Sequence, residues 1–221
     1  CLLPQAYSNK LRLAALEVPG FIFLWCLGAQ RKGMVINMKL VIVDLDGTLF
    51  DTKDVNYHAY KEAIAPYGYD MDYKYYCEFC NGRHYLDFLP QITTDDKEIL
   101  TAIHKAKKMA YRNHLDKAKL NKGLVDIIKL MKSEYKTALV TTASRENCYE
   151  ILKRFDLVRL FDLILTHDDV TQTKPNPEGF IKAMNHFDIA PEATIVFEDS
   201  DVGLEAAKRS GAYYYRTYCF N

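Results

Sequence analysis

Five short apolar segments recur along the chain from Lys39 onward: KLVIVD (Lys39 to Asp44), TALVT (Thr137 to Thr141), FDLILT (Phe161 to Thr166), ATIVFE (Ala193 to Glu198) and AYYYRT (Ala212 to Thr217). Each is of strand length, rich in β-branched or aromatic residues, and bounded by polar or turn residues. Between them lie helix-length stretches with one apolar face. GLVDIIKLMKSEY places Leu124, Ile127, Ile128 and Met131 together, and RENCYEILKRFDL does the same with Cys148, Ile151, Leu152 and Phe155. VGLEAAKRSGA stops at Gly211, as a helix with a C-terminal glycine cap does. Strands that alternate with helices in this way predict an α/β domain with a mostly parallel sheet.

One connection departs from the alternation. Residues Thr52 to Leu120 separate the first strand from the second and read as several helices, in VNYHAYKEAIAPYG, YKYYCEFCNG, HYLDFLP and DDKEILTAIHKAKKMAYRNHLDKA. A crossover between parallel strands needs only about a dozen residues. The stretch 52–120 is therefore expected to form an inserted α-helical domain above the C-terminal ends of the strands, with the core domain built from 38–51 and 121–221.

Polar clusters fall where the strands end: Asp44 and Asp46 after the first, Thr141 after the second, Lys174 beyond the third, and Glu198 with Asp199 after the fourth. That edge of an open α/β sheet is where ligands bind. Four carboxylates brought together repel unless a positive charge sits among them. A hard divalent cation with oxygen ligands, Mg²⁺, meets that need, with Asp44, Asp46, Glu198 and Asp199 as the candidate ligand set, Glu198 through water. Asp44, fixed at a strand end, is placed to attack a phosphorus atom and form an aspartyl-phosphate. Asp46 is placed to protonate the leaving oxygen and later to deprotonate water. Thr141 and Lys174 are expected to donate to the phosphoryl oxygens.

With those residues in place, DLDGT, the threonine ending ALVT, KPNPEGF and VFEDSDVGLEAA resemble the four successive motifs of the haloacid dehalogenase (HAD) superfamily, in order. The helical insertion resembles its α-helical cap. The resemblance runs from about Met38 to the C-terminus and implies a Rossmann-like core. By motif it assigns Asp44 as nucleophile, Asp46 as acid/base, Thr141 and Lys174 as phosphate binders, and Glu198 and Asp199 as metal acids. It points to the phosphoglycolate phosphatase and β-phosphoglucomutase-like subfamily. Dehalogenases resemble this pattern only without the second aspartate, which Asp46 supplies. Mutases similar to β-phosphoglucomutase carry a histidine in the first cap helix where ungapped counting places Asn56 here, with His58 two residues late, so a phosphatase is expected before a mutase. A phospho-accepting signalling domain also gathers acids, a threonine and a lysine around Mg²⁺, but has no place for a helical cap.

In the cap, CNGRHYLDFLP draws notice, because Arg83 or His84 after Gly82 could reach the far end of a substrate. Asp201 is expected to N-cap the last helix rather than bind metal, with Ser200 able to share that task. Lys and Arg total 29 against 29 Asp and Glu, which leaves no electrostatic footprint for nucleic acid or an anionic membrane. The partner expected is a small phosphorylated metabolite, met by a monomer or weak homodimer. Six cysteines are scattered through a chain with ample apolar residues, so a reducing, cytoplasmic setting is expected. Cys77 and Cys80 form a CxxC with no second pair to complete a zinc site. The segment before Met38 holds an apolar run from Val18 to Ala29, too short to span a bilayer and broken by Pro19 and Gly20; residues 1–37 are expected to be a non-native or disordered extension.

Overall fold

The sheet is wholly parallel, in the order β5-β4-β1-β6-β7, with β1 (Leu40–Val43), β4 (Lys136–Val140), β5 (Leu163–Leu165), β6 (Thr194–Glu198) and β7 (Tyr213–Arg216). These coordinates form a computed structural model that describes residues 38–217; the extension expected over 1–37 lies outside the described residues. Four of the five strands fall inside the segments read from sequence, and β4 begins one residue before its segment, at Lys136. β1 is central, and each of its four residues is fully buried. Helices cover both faces of a parallel sheet, which is why LVIV is a continuous apolar run and not an alternating one.

Side chains alternate across the sheet, so Leu40 and Ile42 share one face with Ala138, Val140 and Val196. That face packs against Phe180 and Met184 of α7 (Glu178–Phe187) and Ala206 and Ala207 of α8 (Asp201–Ser210). The small alanines let α8 approach closely. Gly211 closes α8 with φ +82, the left-handed conformation that glycine adopts without strain. The start of α8 differs from expectation. Ser200, not Asp201, is the N-cap, its Oγ accepting from the Gly203 amide at 3.1 Å. Asp201 is drawn aside by an ion pair with Arg216 of β7. α5 (Lys122–Met131) and α6 (Arg145–Arg154) complete the crossovers, capped by Asn121 and Ser144.

The passage into the helical insertion and the passage out of it lie side by side. β2 (Phe50–Asp51) pairs antiparallel with β3 (Lys119–Leu120), Phe50 opposite Leu120. Two-residue strands carry no periodicity, and this ladder was invisible to pattern reading. Between the two passages stand α1 (Lys53–Ile64), α2 (Tyr73–Tyr75) running into a π-helical turn at Tyr76–Cys80, α3 (Tyr85–Ile92) and α4 (Lys97–Ala110), followed by a 3-10 segment at Tyr111–Lys117. They bury a core of their own around Tyr57, Tyr60, Ile64, Phe88, Leu89 and Ile103. Cys77 and Cys80 belong to the π-helical turn and are free thiols, Cys80 buried in that core. Among the described residues, no helix is long and apolar enough to cross a membrane.

Candidate active site

β1 ends at Val43, but the ladder continues one residue further, with the Asp44 amide donating to the Phe197 carbonyl at 3.0 Å. This fixes the Asp44 backbone at the carboxyl edge of the sheet, with its side chain buried. Its Oδ1 accepts from Lys174 Nζ at 2.5 Å. The same ammonium donates to Glu198 Oε2 at 2.6 Å and to the Val140 carbonyl at 3.2 Å. All three of its hydrogens are thereby engaged. Burial alone would drive the proton off Lys174, but Asp44 and Glu198 hold its pKa above the ordinary lysine value. Burial, and then Glu198, push Asp44 well above the usual carboxylate range, with Lys174 opposing them.

Glu198 ends β6 and is 1% exposed. Its Oε1 accepts from Ser200 Oγ at 2.8 Å, the Ser200 amide at 3.0 Å and the Asp199 amide at 3.2 Å. With Lys174 on Oε2, both oxygens are committed to the protein. The carboxylate rests directly on α8, where a Cβ added at Gly203 would stand 2.0 Å from Glu198 Cδ. Glu198 therefore anchors Lys174 and shapes the following turn.

Asp199 faces the same space. Thr48 Oγ donates to its Oδ1 at 2.9 Å. A Cβ on Gly47 would lie 2.2 Å from its Oδ2, and Gly47 also has φ +88, so two independent requirements exclude a side chain there. Burial raises the Asp199 pKa to about 6 against the opposing Thr48 hydrogen bond. Ligand oxygens of Asp44, Glu198 and Asp199 all lie within 4.8 Å of one another. Three crowded carboxylates, those of Asp44 and Glu198 buried and that of Asp199 half-buried, share one lysine, so the cluster lacks positive charge, and a hard cation with oxygen ligands fits it. Glu198 accepts from the protein through both oxygens, which leaves Asp44 and Asp199 as the candidates for direct ligation and Glu198 as a candidate through water.

Asp46 stands outside that cluster. The chain begins to turn at Leu45, whose carbonyl accepts from the amides of Leu49 and Phe50. Thr52, at the head of α1, donates its hydroxyl to Asp46 Oδ1. Asn56 Nδ2 donates to the Thr52 carbonyl at 3.1 Å and to its Oγ at 3.3 Å, and Lys107 Nζ of α4 donates to Asn56 Oδ1 at 2.5 Å. The Lys107 ammonium also lies 5.1 Å from the Tyr60 ring centroid and 5.4 Å from that of Tyr111. Burial lowers its pKa to about 8, with Asp46 opposing. Burial raises the Asp46 pKa, and the Thr52 hydrogen bond opposes that shift. Thr141, at the end of β4, donates its amide to Leu165 and accepts from the Ala143 amide at 3.0 Å, which turns the loop beside Lys174.

Residues 41–216 match the model of the haloacid dehalogenase-like hydrolases. The chain belongs to that family. A phosphorylated carbohydrates phosphatase of Thermotoga maritima is 32% identical over 180 residues, 79% of this chain and 82% of that protein. The fructose-1-phosphate phosphatase YqaB of Escherichia coli is 27% identical over 173 residues, covering 77% of this chain and 92% of its own. Among solved structures, CbbY from Rhodobacter sphaeroides in complex with phosphate superposes with a TM-score of 0.71 at 26% identity, covering 83% of this chain and 87% of that one.

In this haloacid dehalogenase-like hydrolase the fold brings Asp44, Lys174, Glu198 and Asp199 to one point and sets Thr141 and Asp46 around it. Arg83 and His84 are both exposed in the turn before α3, where His84 Nδ1 accepts from the Leu86 amide at 3.4 Å as an N-cap. His58 lies beside His114, ring centroids 5.5 Å apart. Sequence reasoning passed over Thr48, Thr52 and Lys107. Thr52 carried a signal, a hydroxyl at the start of a predicted helix just after the DLDGT turn. Lys107 sits in a lysine-rich run that reads as a solvated helix face.

Proposed function

We propose that this hydrolase is a Mg²⁺-dependent phosphatase of small phosphorylated metabolites, phosphorylated carbohydrates among them. The observation that carries this reading is the buried carboxylate of Asp44, held by one oxygen at 2.5 Å from Lys174 within an acidic cluster short of positive charge. Its other oxygen is the nucleophile. Attack on phosphorus forms the Asp44–phosphoryl bond as the bond to the leaving oxygen breaks, and Asp46 gives that oxygen its proton. Water then attacks the aspartyl-phosphate, Asp46 takes a proton from it, and inorganic phosphate leaves with Asp44 restored. Mg²⁺, held by Asp44 and Asp199, would supply the positive charge that offsets the phosphoryl oxygens. In this reading Lys174 and Thr141 face that charge as the protein's donors, and Glu198 keeps Lys174 in place.

Lys107 is the cap cation on the Asp46 side of the site, and in this reading it takes a polar or anionic group of the substrate beyond the phosphoryl. Support for a carbohydrate comes from the relatives named for phosphorylated carbohydrates and fructose 1-phosphate. Asn56, which contacts Thr52 and Lys107, has no titratable group, and this favours hydrolysis over phosphosugar isomerisation. The test is phosphate release across sugar phosphates, phosphoglycolate, glycerol phosphate and nucleotides, with Mg²⁺ and with chelator. Asp44→Asn is expected to abolish release while circular dichroism stays unchanged; undiminished turnover by that variant refutes the assignment.

A further inference from the structure

The turn that presents Asp199 is tied down from β7 by a group that the proposed reaction does not use. Arg216, the last residue of β7, stands opposite Glu198 in the parallel register. Its Nη1 donates to the Asp199 backbone carbonyl at 2.8 Å, and its Nη2 donates to the Asp201 carboxylate. One planar guanidinium thus spans both ends of the turn from Asp199 to Asp201, and its rigid fork fixes the two acceptors relative to each other as a lysine cannot. The two bonds are unequal. The Asp201 side chain is 92% exposed, so its ion pair contributes little. The bond to the Asp199 carbonyl holds the backbone of a residue whose carboxylate belongs to the acidic cluster.

Asp199 is gripped from the opposite side as well. Thr48 Oγ fixes one carboxylate oxygen, and the Gly47 backbone packs against the other. Backbone and side chain are therefore held from two different elements, β7 and the turn after β1, and the carboxylate is ordered before any cation arrives. Resting on the reading of this cluster as a Mg²⁺ site, we infer that Arg216 is a positioning residue for the cation, acting through the Asp199 carbonyl. Removing such a support lowers metal affinity, because ordering of the ligand must then occur on binding.

The test is Mg²⁺ binding by isothermal titration calorimetry on the full chain freed of metal, without substrate. Arg216→Ala is expected to bind Mg²⁺ about tenfold more weakly, with phosphatase turnover at saturating Mg²⁺ within about threefold of wild type, since affinity and not chemistry is affected. Arg216→Lys, which keeps the charge and loses the fork, should recover only part of the affinity. Asp201→Ala, which leaves the Nη1 bond in place, should bind as wild type does. Unchanged affinity in folded Arg216→Ala overturns the inference, as does an equal loss in Asp201→Ala. Where Arg216→Ala fails to fold, Arg216→Gln takes its place; failure of both to fold in chelator also overturns it, because Arg216 then serves the fold. Wild type that binds no Mg²⁺ refutes the metal reading itself and this inference with it.

Discussion

Replacing Gly203 with alanine sets two effects of opposite sign against each other. The residue lies in the first turn of α8, and glycine in a helix is worse than alanine by about 1 kcal/mol, so propensity alone predicts a more stable protein. The packing predicts the reverse. A methyl at this position would stand 2.0 Å from Glu198 Cδ and 2.2 Å from Oε2, the oxygen that receives Lys174. Backbone on one side and the buried sheet edge on the other leave the carboxylate no room, so it must leave Lys174 or push α8 away. Breaking one partner out of a buried ion pair costs about 3–5 kcal/mol. The net expectation is a loss of about 2–4 kcal/mol, or a fall in melting temperature on the order of 6–12 °C for a chain of this size.

Urea denaturation of the metal-free protein measures this directly, with chelator present so that a change in cation affinity does not enter. A Gly203→Ala protein as stable as wild type, or more so, refutes the packing argument. The cause can be isolated by repeating the substitution in a Glu198→Ala background. There the obstructing carboxylate is gone, and the added methyl should become neutral or stabilising by up to about 1 kcal/mol. The two backgrounds should thus disagree in sign, with a coupling of about 3 kcal/mol. Equal penalties in both would locate the strain elsewhere in α8.

Gly47→Ala places a side chain at φ +88 and 2.2 Å from Asp199 Oδ2; a stability loss of about 1–2 kcal/mol from the left-handed backbone together with weakened Mg²⁺ binding is expected, the two read by urea melts and calorimetry. Asp162→Ala leaves the buried Thr137 amide without the acceptor it has at 2.9 Å, a loss of about 1–3 kcal/mol. Burial favours protonation of Asp162, but hydrogen bonds from Thr137 and Lys132 prevail and hold its pKa below the usual carboxylate value. Its contribution is thus present above the unfolded pKa and lost as pH falls through the folded one, so wild type and variant should converge in acid. Lys107, lowered to about 8 by burial, is charged below that pH, so kcat/KM for a sugar phosphate should fall on an alkaline limb near pH 8. Lys107→Arg should move that limb upward, and an unmoved limb would exclude Lys107 from substrate binding.

The sheet was legible because its central strands, β1, β4 and β6, are almost wholly buried and so read as continuous apolar runs, and because each polar interruption marked a carboxyl end. Asp44, Lys174, Glu198 and Asp199 meet for that reason: topology converts the ends of β1 and β6 and the loop after β5, distant in sequence, into one site. What could not be read was how the charges divide their work once there. Glu198 read as a metal acid acting through water, and its hydrogen bonds from Lys174, Ser200 and the Asp199 amide came into view only with the fold. Asp46 read as the acid/base beside Asp44, but its hydrogen bond from Thr52 was not read from the sequence. Lys107 is set apart by the Tyr60, Tyr111 and Asn56 side chains beside it, and Tyr60 and Asn56 arrive from another helix, α1. Ser200 and Asp201 are both good N-caps by composition, and Arg216 from β7 decided between them by claiming the aspartate. In each case the residue type was visible, while its role was set by partners brought from other parts of the chain. Placement can be inferred from local pattern; protonation and ligation depend on burial and neighbours, and these exist only once the chain has folded.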